Sequence, residues 1–188
     1  MGTHGLKAET GGEVPPETAT VWDPLVRIFH WSLLAAFVAA YVSGDAWEKL
    51  HIKVGYVVIG LIAFRLVWGL IGSTHARFTD FVYRPSTIIA FLRDSVAFKA
   101  KRYLGHNPAG GAMVIALLVT LSAIGVSGYM MTMDAFWGAE WVEDLHEAFV
   151  SASLILIALH IAGVLFASFE HKENLVKSMF TGRKNKGH

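Results

Sequence analysis

The sequence predicts an all-α integral membrane protein, a four-helix bundle with an interfacial helix between the second and third spans. Four apolar stretches are each long enough to cross about 30 Å of hydrocarbon at about 1.5 Å per helical residue. The 188 residues are 54% hydrophobic and 16% charged, whereas soluble domains average about 25% charged residues. Because backbone groups in lipid must be satisfied within their own segment, all four stretches are predicted to be helices.

The four predicted spans follow a polar N-terminal segment and cover residues 26–44, 50–72, 109–131 and 145–169. Residues 1–20 are rich in Gly, Pro, Thr and Glu and are predicted to be a flexible tail. Residues 21–180 are predicted to form one transmembrane domain, and residues 181–188 a basic C-terminal tail. A cleaved signal peptide is the competing interpretation of the first stretch. Its acidic, polar leader is unlike a signal-peptide n-region, so we expect the first helix to be retained.

The segment between the second and third spans carries two further signals. Residues 85–104 intersperse apolar side chains with arginine and lysine, which predicts an amphipathic helix at the membrane interface. Asn107 followed by Pro108 is typical of a helix start, since asparagine caps the first turn and proline is favoured at its first position. The third span is therefore predicted to begin there.

The distribution of basic residues predicts the orientation of the chain. Of the 16 lysine and arginine residues, 14 lie on the side of the two termini, and only Lys49 and Lys53 lie on the other side. Because cytoplasmic loops are enriched in lysine and arginine, both termini are predicted to be cytoplasmic in the bacterial inner membrane. The net charge of +1 gives no indication of a nucleic-acid partner, and none is expected.

Cysteine is absent from the sequence, so disulfides, thiolate zinc sites, iron–sulfur clusters and haem attached through C-x-x-C-H are excluded. Four histidines lie in or at the ends of the predicted spans: His30, His51, His146 and His160. Ionisable groups at such depths are costly, and they indicate a functional site. A single membrane histidine that only makes an interhelical hydrogen bond is the simpler alternative for each one.

Helix directions group these histidines by depth. His146 and His160 are 14 residues apart, about 21 Å along the axis and about 40° around it. Since successive spans run in opposite directions, His30 is predicted to match the depth of His160 on the inner side, and His51 that of His146 on the outer side. Two facing imidazoles at each depth are what bis-histidine ligation of two b-type haems requires. Zinc would need more ligands at each depth.

Arginines and glycines near these positions have two interpretations each. Arg65 lies 14 residues after His51, and Arg27 lies one turn before His30. Both can pair with a propionate of the inner haem, or extend to the cytoplasmic surface. Glycines near the ligands, Gly55 and Gly163, leave space for a large ring, although close helix packing without a cofactor also favours glycine.

Motifs along most of the chain resemble the bacterial cytochrome b561 family, which is similar to the cytochrome b subunits of nickel–iron hydrogenases. The motifs are VWDPLVRIFHW, HIKVGY, RLVWGLIGSTHARF, GHNPAGG, LHEAF and ALHIAGVL. The resemblance covers about residues 21–180. It implies a four-helix, dihaem membrane protein that exchanges electrons with the quinone pool, with His30, His51, His146 and His160 as haem ligands.

Four functions stay open, in order of preference. The first is a quinone-linked cytochrome b that exchanges electrons with a c-type cytochrome or a hydrogenase. The second is an oxidoreductase that passes electrons from superoxide to quinone. The third is a haem-free anchor in membrane lipid, and the fourth is a metal transporter, for which the third span has few polar residues.

The remaining histidines are predicted to lie in solvated tails or loops: His4, His75, His106, His171 and His188. Quinol oxidation near either haem would need an ionisable group that takes up the released proton. The candidates near the inner haem are His106 and Arg77, and those near the outer haem are Asp45, Glu48, Lys49, Lys53, Asp144 and Glu147. The sequence does not choose between the two sides.

Overall fold

Helices make up most of the chain in the computed structural model, which describes residues 18–44 and 46–186. In chain order they are α1 (Pro24–Ser43), α2 (Glu48–Ile71), α3 (Phe78–Phe81), α4 (Pro85–Val96), α5 (Pro108–Met131), α6 (Glu140–Glu170) and α7 (Leu175–Thr181). Four of them, α1, α2, α5 and α6, are long and apolar enough to cross a membrane. The predicted all-α membrane fold with four spans is therefore confirmed.

Helix caps account for where two of the spans begin. Asp23 caps α1 by accepting a hydrogen bond from the backbone N–H of Val26, with Pro24 in the first turn. Asn107 caps α5 in the same way through the N–H of Gly110, with Pro108 at its start. An asparagine or aspartate cap satisfies one of the free N–H groups at a helix start, and proline lacks an N–H that would go unpaired there.

The fourth span begins earlier than its apolar stretch predicts. Helix α6 starts at Glu140, with Glu140 and Glu143 in its first turn, whereas the predicted span begins at residue 145. Acidic residues in a first turn are stabilised by the partial positive charge of the helix N-terminus. The polar first turn therefore belongs to the helix although it is not part of the apolar stretch.

The helix predicted between spans two and three is present but shorter than expected. Helix α4 ends at Val96, and residues 97–107 form turns and extended chain. Before it, α3 lies against the start of α5 so closely that a Cβ on Gly111 would be 2.2 Å from the carbonyl oxygen of Phe81. Only glycine permits this approach of two backbones. The position of α4 at a membrane interface stays a prediction.

Both ends of the described chain meet in a short sheet. Strand β1 (Thr18–Thr20) pairs antiparallel with β2 (Arg183–Asn185), and Ala19 lies opposite Lys184. Thr18–Thr20 belong to the segment predicted as a flexible tail, and β2 belongs to the predicted C-terminal tail, so these residues are in strands instead. The rest of the N-terminal tail, residues 1–17, lies outside the described residues, as do residues 187–188.

The buried core lies between three of the four spans. It consists of residues from α1, α2 and α5: Phe29, Val58, Ile62, Leu118 and Leu121. Helix α1 packs along α2, α2 along α5, and α5 along α6, whereas α6 approaches α1 and α2 much less closely. Only Val142 and Ser153 of α6 are buried. The bundle therefore has a slot between α6 on one side and α1 with α2 on the other.

Candidate functional site

Two pairs of histidines face each other across this slot. The ring centroids of His30 on α1 and His160 on α6 are 6.5 Å apart, and we call these two residues the terminal pair because they lie toward the chain termini. The ring centroids of His51 on α2 and His146 on α6 are 6.1 Å apart. We call these the loop pair, since they lie toward the α1–α2 and α5–α6 loops. The structure thus brings together the partners that helix direction predicts.

The separation within each pair fits two imidazoles bound to one metal from opposite sides. Metal–imidazole bonds of about 2 Å, with about 1 Å from ring atom to ring centre, place two trans imidazole centroids about 6 Å apart. The observed 6.5 Å and 6.1 Å match this geometry. In residues 18–44 and 46–186, no three His, Asp or Glu side chains cluster closely enough to hold a metal ion. A metal bound in a flat four-nitrogen ring has two further positions, one on each face of the ring, and two facing histidines can fill them.

The loop pair has its imidazoles oriented by hydrogen bonds from the surrounding helices. Nδ1 of His51 lies 2.8 Å from the carbonyl oxygen of Ala40. Nδ1 of His146 lies 3.1 Å from the carbonyl oxygen of Ile124 and 3.1 Å from Oγ of Ser127. A carbonyl oxygen can only accept, so Nδ1 of both rings is the donor. This leaves Nε2 of each ring as a lone-pair donor to a metal, the usual arrangement of metal-ligating histidines.

Three glycines near the ligands have different surroundings. A Cβ on Gly128 would be 3.1 Å from Cε1 of His146, so this glycine gives the ring its space. A Cβ on Gly55 or on Gly163 would meet no heavy atom within 4 Å. Gly55 follows His51 by one helical turn and lies on nearly the same face. The face of α2 that carries His51 is therefore open at Gly55.

At the terminal pair, nitrogen atoms are buried without partners. In the described part of the chain, Nδ1 of His30 is buried with no hydrogen-bond acceptor or donor. Its ring packs edge-on against Trp31, with centroids 5.0 Å apart. The carbonyl oxygen of Ala40 determines the tautomer of His51, but no such acceptor is bonded to His30. The ring of His30 is held by its packing against the indole of Trp31.

Arg65 is the most deeply buried charged side chain near the terminal pair. It is only 3% exposed, and its Nη1 has no hydrogen-bond partner among the described residues. Its guanidinium carbon lies 5.2 Å from the ring centroid of Phe78 and 5.9 Å from that of Phe81. Aromatic faces stabilise a cation by roughly 0.5–2 kcal/mol, which does not replace an anion for a buried charge. The location of Arg65 inside the protein contradicts its alternative interpretation as a side chain extending to the surface.

Arg27 lies in the first part of α1 and contacts the C-terminal segment. Its Nη1 donates a hydrogen bond to the carbonyl oxygen of Phe180 in the last turn of α7. Its Nε is buried and has no partner within the described residues. Arg27 therefore connects α1 to α7 through this hydrogen bond. The sequence alone does not predict this contact.

His106 differs from the prediction that it is solvated. Its ring packs between Trp22 and Phe81, with centroid distances of 4.7 Å and 4.6 Å. Burial, together with the positive charges of Arg65 and Lys184, lowers the pKa of His106 to about 3. The ring is therefore neutral at physiological pH, which makes His106 a poor acceptor for a released proton. Sequence reasoning missed this packing because Trp22 is distant in the chain.

Two other histidines have carboxylate partners, His75 at the surface and His171 in a largely buried pair. Nδ1 of His75 lies 2.9 Å from Oδ2 of Asp80, and both side chains are about one third exposed. Nε2 of His171 lies 3.9 Å from Oε2 of Glu170. His4 and His188 lie outside the described residues. None of these residues belongs to the two facing pairs.

Comparison with known proteins agrees with this geometry. The family model for prokaryotic cytochrome b561 matches residues 21–182. The chain belongs to the prokaryotic cytochrome b561 family. A probable Ni/Fe-hydrogenase B-type cytochrome subunit from Rhizobium leguminosarum bv. viciae is 19% identical, over 96% of this chain and 92% of that protein. No solved structure matches the chain. Membership of this family makes the chain a membrane-embedded b-type cytochrome that transfers electrons.

Proposed function

We propose that this cytochrome b561 holds two haems b and carries electrons across the membrane between the quinone pool and a redox partner. The observation that supports this most strongly is the presence of two histidine pairs whose ring-centroid distances fit two imidazoles bound to one metal. Helix α6 contributes one histidine to each pair, and the two are 14 residues apart. That spacing separates the pairs by about 21 Å along the helix, which covers most of the hydrocarbon thickness.

The side chains of this cytochrome hold and orient the two haems. Haem held by His30 with His160, and by His51 with His146, would supply one-electron redox chemistry at each depth. The carbonyl oxygens of Ala40 and Ile124 bind Nδ1 of the two loop-pair rings. The Nε2 atom of each ring is therefore the one left to bind iron. Arg65 supplies a buried positive charge at the other end, where a propionate would satisfy it, and Arg27 has a buried Nε for the same purpose.

We place the terminal pair on the cytoplasmic side of the bacterial inner membrane. The pairing of β1 with β2 brings the two ends of the described chain together, as an even number of spans requires. Most lysine and arginine residues lie on that same side, which supports cytoplasmic termini. The loop pair then lies toward the periplasm.

The redox partner is expected to approach the loop pair. The segment from residue 132 to residue 147 contains five acidic residues, all exposed, and no lysine or arginine. They are Asp134, Glu140, Glu143, Asp144 and Glu147. The Rhizobium relative is described as a hydrogenase subunit, which favours a hydrogenase-type partner, and a c-type cytochrome with a basic face also fits the charge.

Purified protein tests the haem assignment directly. We expect two haems b per chain and a reduced-minus-oxidised spectrum of low-spin b-type haem, reduced by a quinol analogue in detergent or liposomes. A colourless protein would support a haem-free anchor and contradict the proposal. Haem that is present but does not react with quinol would contradict the quinone link alone.

Salt dependence tests the partner surface. Electrostatic steering is screened over about 8 Å at physiological ionic strength, so electron transfer with a basic c-type cytochrome should slow as salt rises. Replacing Glu140, Glu143 and Asp144 by their amides should reduce both the rate and its salt dependence. Asp94→Asn, on the exposed surface of α4, is the matched control. A rate that is flat or rises with salt would exclude steering by this segment.

A further inference from the structure

Buried nitrogen atoms without hydrogen-bond partners are confined to one end of the described bundle. They belong to Arg27, His30, Trp31, Arg65 and His106. All five residues lie toward the chain termini, whereas both histidines of the loop pair have hydrogen bonds. A buried donor without an acceptor costs roughly 1–3 kcal/mol. Such a concentration of donors indicates that a group with acceptor oxygens binds at this end.

Two of these residues flank the same aromatic ring from different elements. The guanidinium of Arg65 on α2 lies 5.9 Å from the centroid of Phe81, and the imidazole of His106, in the turn before α5, lies 4.6 Å from it. The charges of Arg65 and of His160 both act on His106. The side chains of Arg65 and His106 therefore lie against one ring, at the end of the bundle that contains the terminal pair.

We propose that His106 and Arg65 together bind one propionate carboxylate of the haem held by the terminal pair. This inference rests on the proposed dihaem function. The chemistry of the two donors selects a carboxylate, because Nη1 of the buried Arg65 has no hydrogen-bond partner and a charge-assisted hydrogen bond to a carboxylate is stronger than one to an uncharged carbonyl. A carboxylate has enough lone pairs to accept from a guanidinium and an imidazole at once.

His106 has the properties of a hydrogen-bond donor in such a site. Its ring is held by Trp22 and Phe81, so little conformational freedom is lost when the carboxylate binds. An imidazole carries at least one N–H whether it is neutral or protonated, so His106 can donate a hydrogen bond in either state. His106 is thus a positioning residue for the haem.

The His106→Phe variant tests the proposal while retaining a ring between Trp22 and Phe81. Loss of the hydrogen bond leaves more negative charge on the propionate, which stabilises the oxidised iron. We expect the midpoint potential of one haem to fall and that of the other to stay unchanged. We also expect that haem to transfer to an apoprotein acceptor about tenfold faster, as loss of a hydrogen bond to a charged group predicts.

Two variants control for structural disturbance. His106→Asn retains a donor near the place of Nδ1 and should restore most of the potential and of the transfer rate, although it lacks the ring. His171→Phe makes the same replacement at another histidine toward the chain termini and should change neither quantity. The spectrum of the unaffected haem reports whether each variant is folded.

The results separate the inference from the function on which it rests. If the unsubstituted protein binds two haems but His106→Phe shifts neither potential nor transfer rate, the inference is overturned and the dihaem function stands. Restoration by His106→Asn, with no effect in His171→Phe, supports the inference. If the unsubstituted protein binds no haem at the terminal pair, the function and the inference both fail.

Discussion

The terminal pair and the loop pair each consist of two facing histidines at similar separations, but the protein around them differs. At the loop pair, backbone carbonyls of Ala40 and Ile124 accept from the histidine rings. At the terminal pair, Nδ1 of His30 has no such partner, and Nη1 of the buried Arg65 has no hydrogen-bond partner, although the charge of Asp23 acts on this arginine. The protein alone therefore orients the loop-pair rings, whereas the terminal end contains buried nitrogen atoms whose hydrogen bonds are not made within the described protein.

This difference has a consequence for the two redox potentials. A buried cation stabilises the reduced, less positive form of a nearby redox centre, and exposed acidic side chains do the opposite. Arg65 and Arg27 lie at the terminal end, and the acidic segment of residues 132–147, which includes the first turns of α6, adjoins the loop pair. We expect the haem at the terminal pair to have the higher potential, which would favour electron flow toward the side of the termini.

Removing the ligands should have the largest effect. We expect His30→Ala or His160→Ala to reduce the haem content from two per chain to one, and to leave the other haem spectrally intact. His51→Ala or His146→Ala should remove the other haem, because each iron needs both of its axial nitrogens. Haem extraction and protein quantification measure the ratio. If His30→Ala and His51→Ala deplete the same haem, the pairing is wrong.

Filling the open space beside the loop pair should have the next largest effect. Gly55 and Gly60 both lie in α2 with no heavy atom within 4 Å of an added Cβ, but they lie on opposite faces of the helix. Gly55→Leu should displace the loop-pair haem, since it shares a face with His51, and Gly60→Leu should not. The optical spectrum of each variant gives the result. Equal haem content in both would show that the space at Gly55 is not used by the haem.

Removing the buried cation should change a potential without removing a haem. For Arg65→Leu we expect the midpoint potential of the terminal-pair haem to fall, by about 70 mV if the charge lies about 10 Å from the iron at an effective dielectric constant of about 20. Arg93→Leu, at an exposed position of α4, is the control. A redox titration identical to that of the unsubstituted protein would contradict a role for Arg65 near the haem.

The smallest effect is expected at the loop pair, where two different groups can accept a hydrogen bond from Nδ1 of His146. Ser127→Ala removes a hydroxyl 3.1 Å from Nδ1 of His146, but the carbonyl oxygen of Ile124 remains as an acceptor. The shift in potential should be smaller than that of Arg65→Leu and confined to the loop-pair haem. Ser122→Ala, whose hydroxyl donates to Leu118 in the same helix, should leave both potentials unchanged. A shift at the terminal-pair haem would contradict the assignment of Ser127.

The sequence predicted the spans and the two histidine pairs because both follow from local pattern and helix length. Apolar runs fix the spans, and alternating helix direction fixes which histidines share a depth. The start at Asn107 and Pro108 was also predicted, since capping depends on adjacent residues. These features need no knowledge of which side chains meet across the bundle.

Features that depend on contacts between distant elements could not be predicted. His106 was predicted to be solvated because it lies in a loop between two spans, but Trp22 and Phe81 enclose its ring. The pairing of Thr18–Thr20 with β2 joins the two ends of the described chain. No sequence signal identifies Ala40 as the acceptor for His51, because every residue has a carbonyl group.

Haem content in paired double variants tests the central claim most directly. If each facing pair holds one haem, His30→Ala with His160→Ala removes only one haem and leaves one per chain, as either single variant does. His30→Ala with His51→Ala removes one ligand from each pair and should leave none. Two haems in the unsubstituted protein, one in the first double variant and none in the second are the predicted values. Equal haem content in the two double variants would contradict the assignment of the four ligands to two facing pairs.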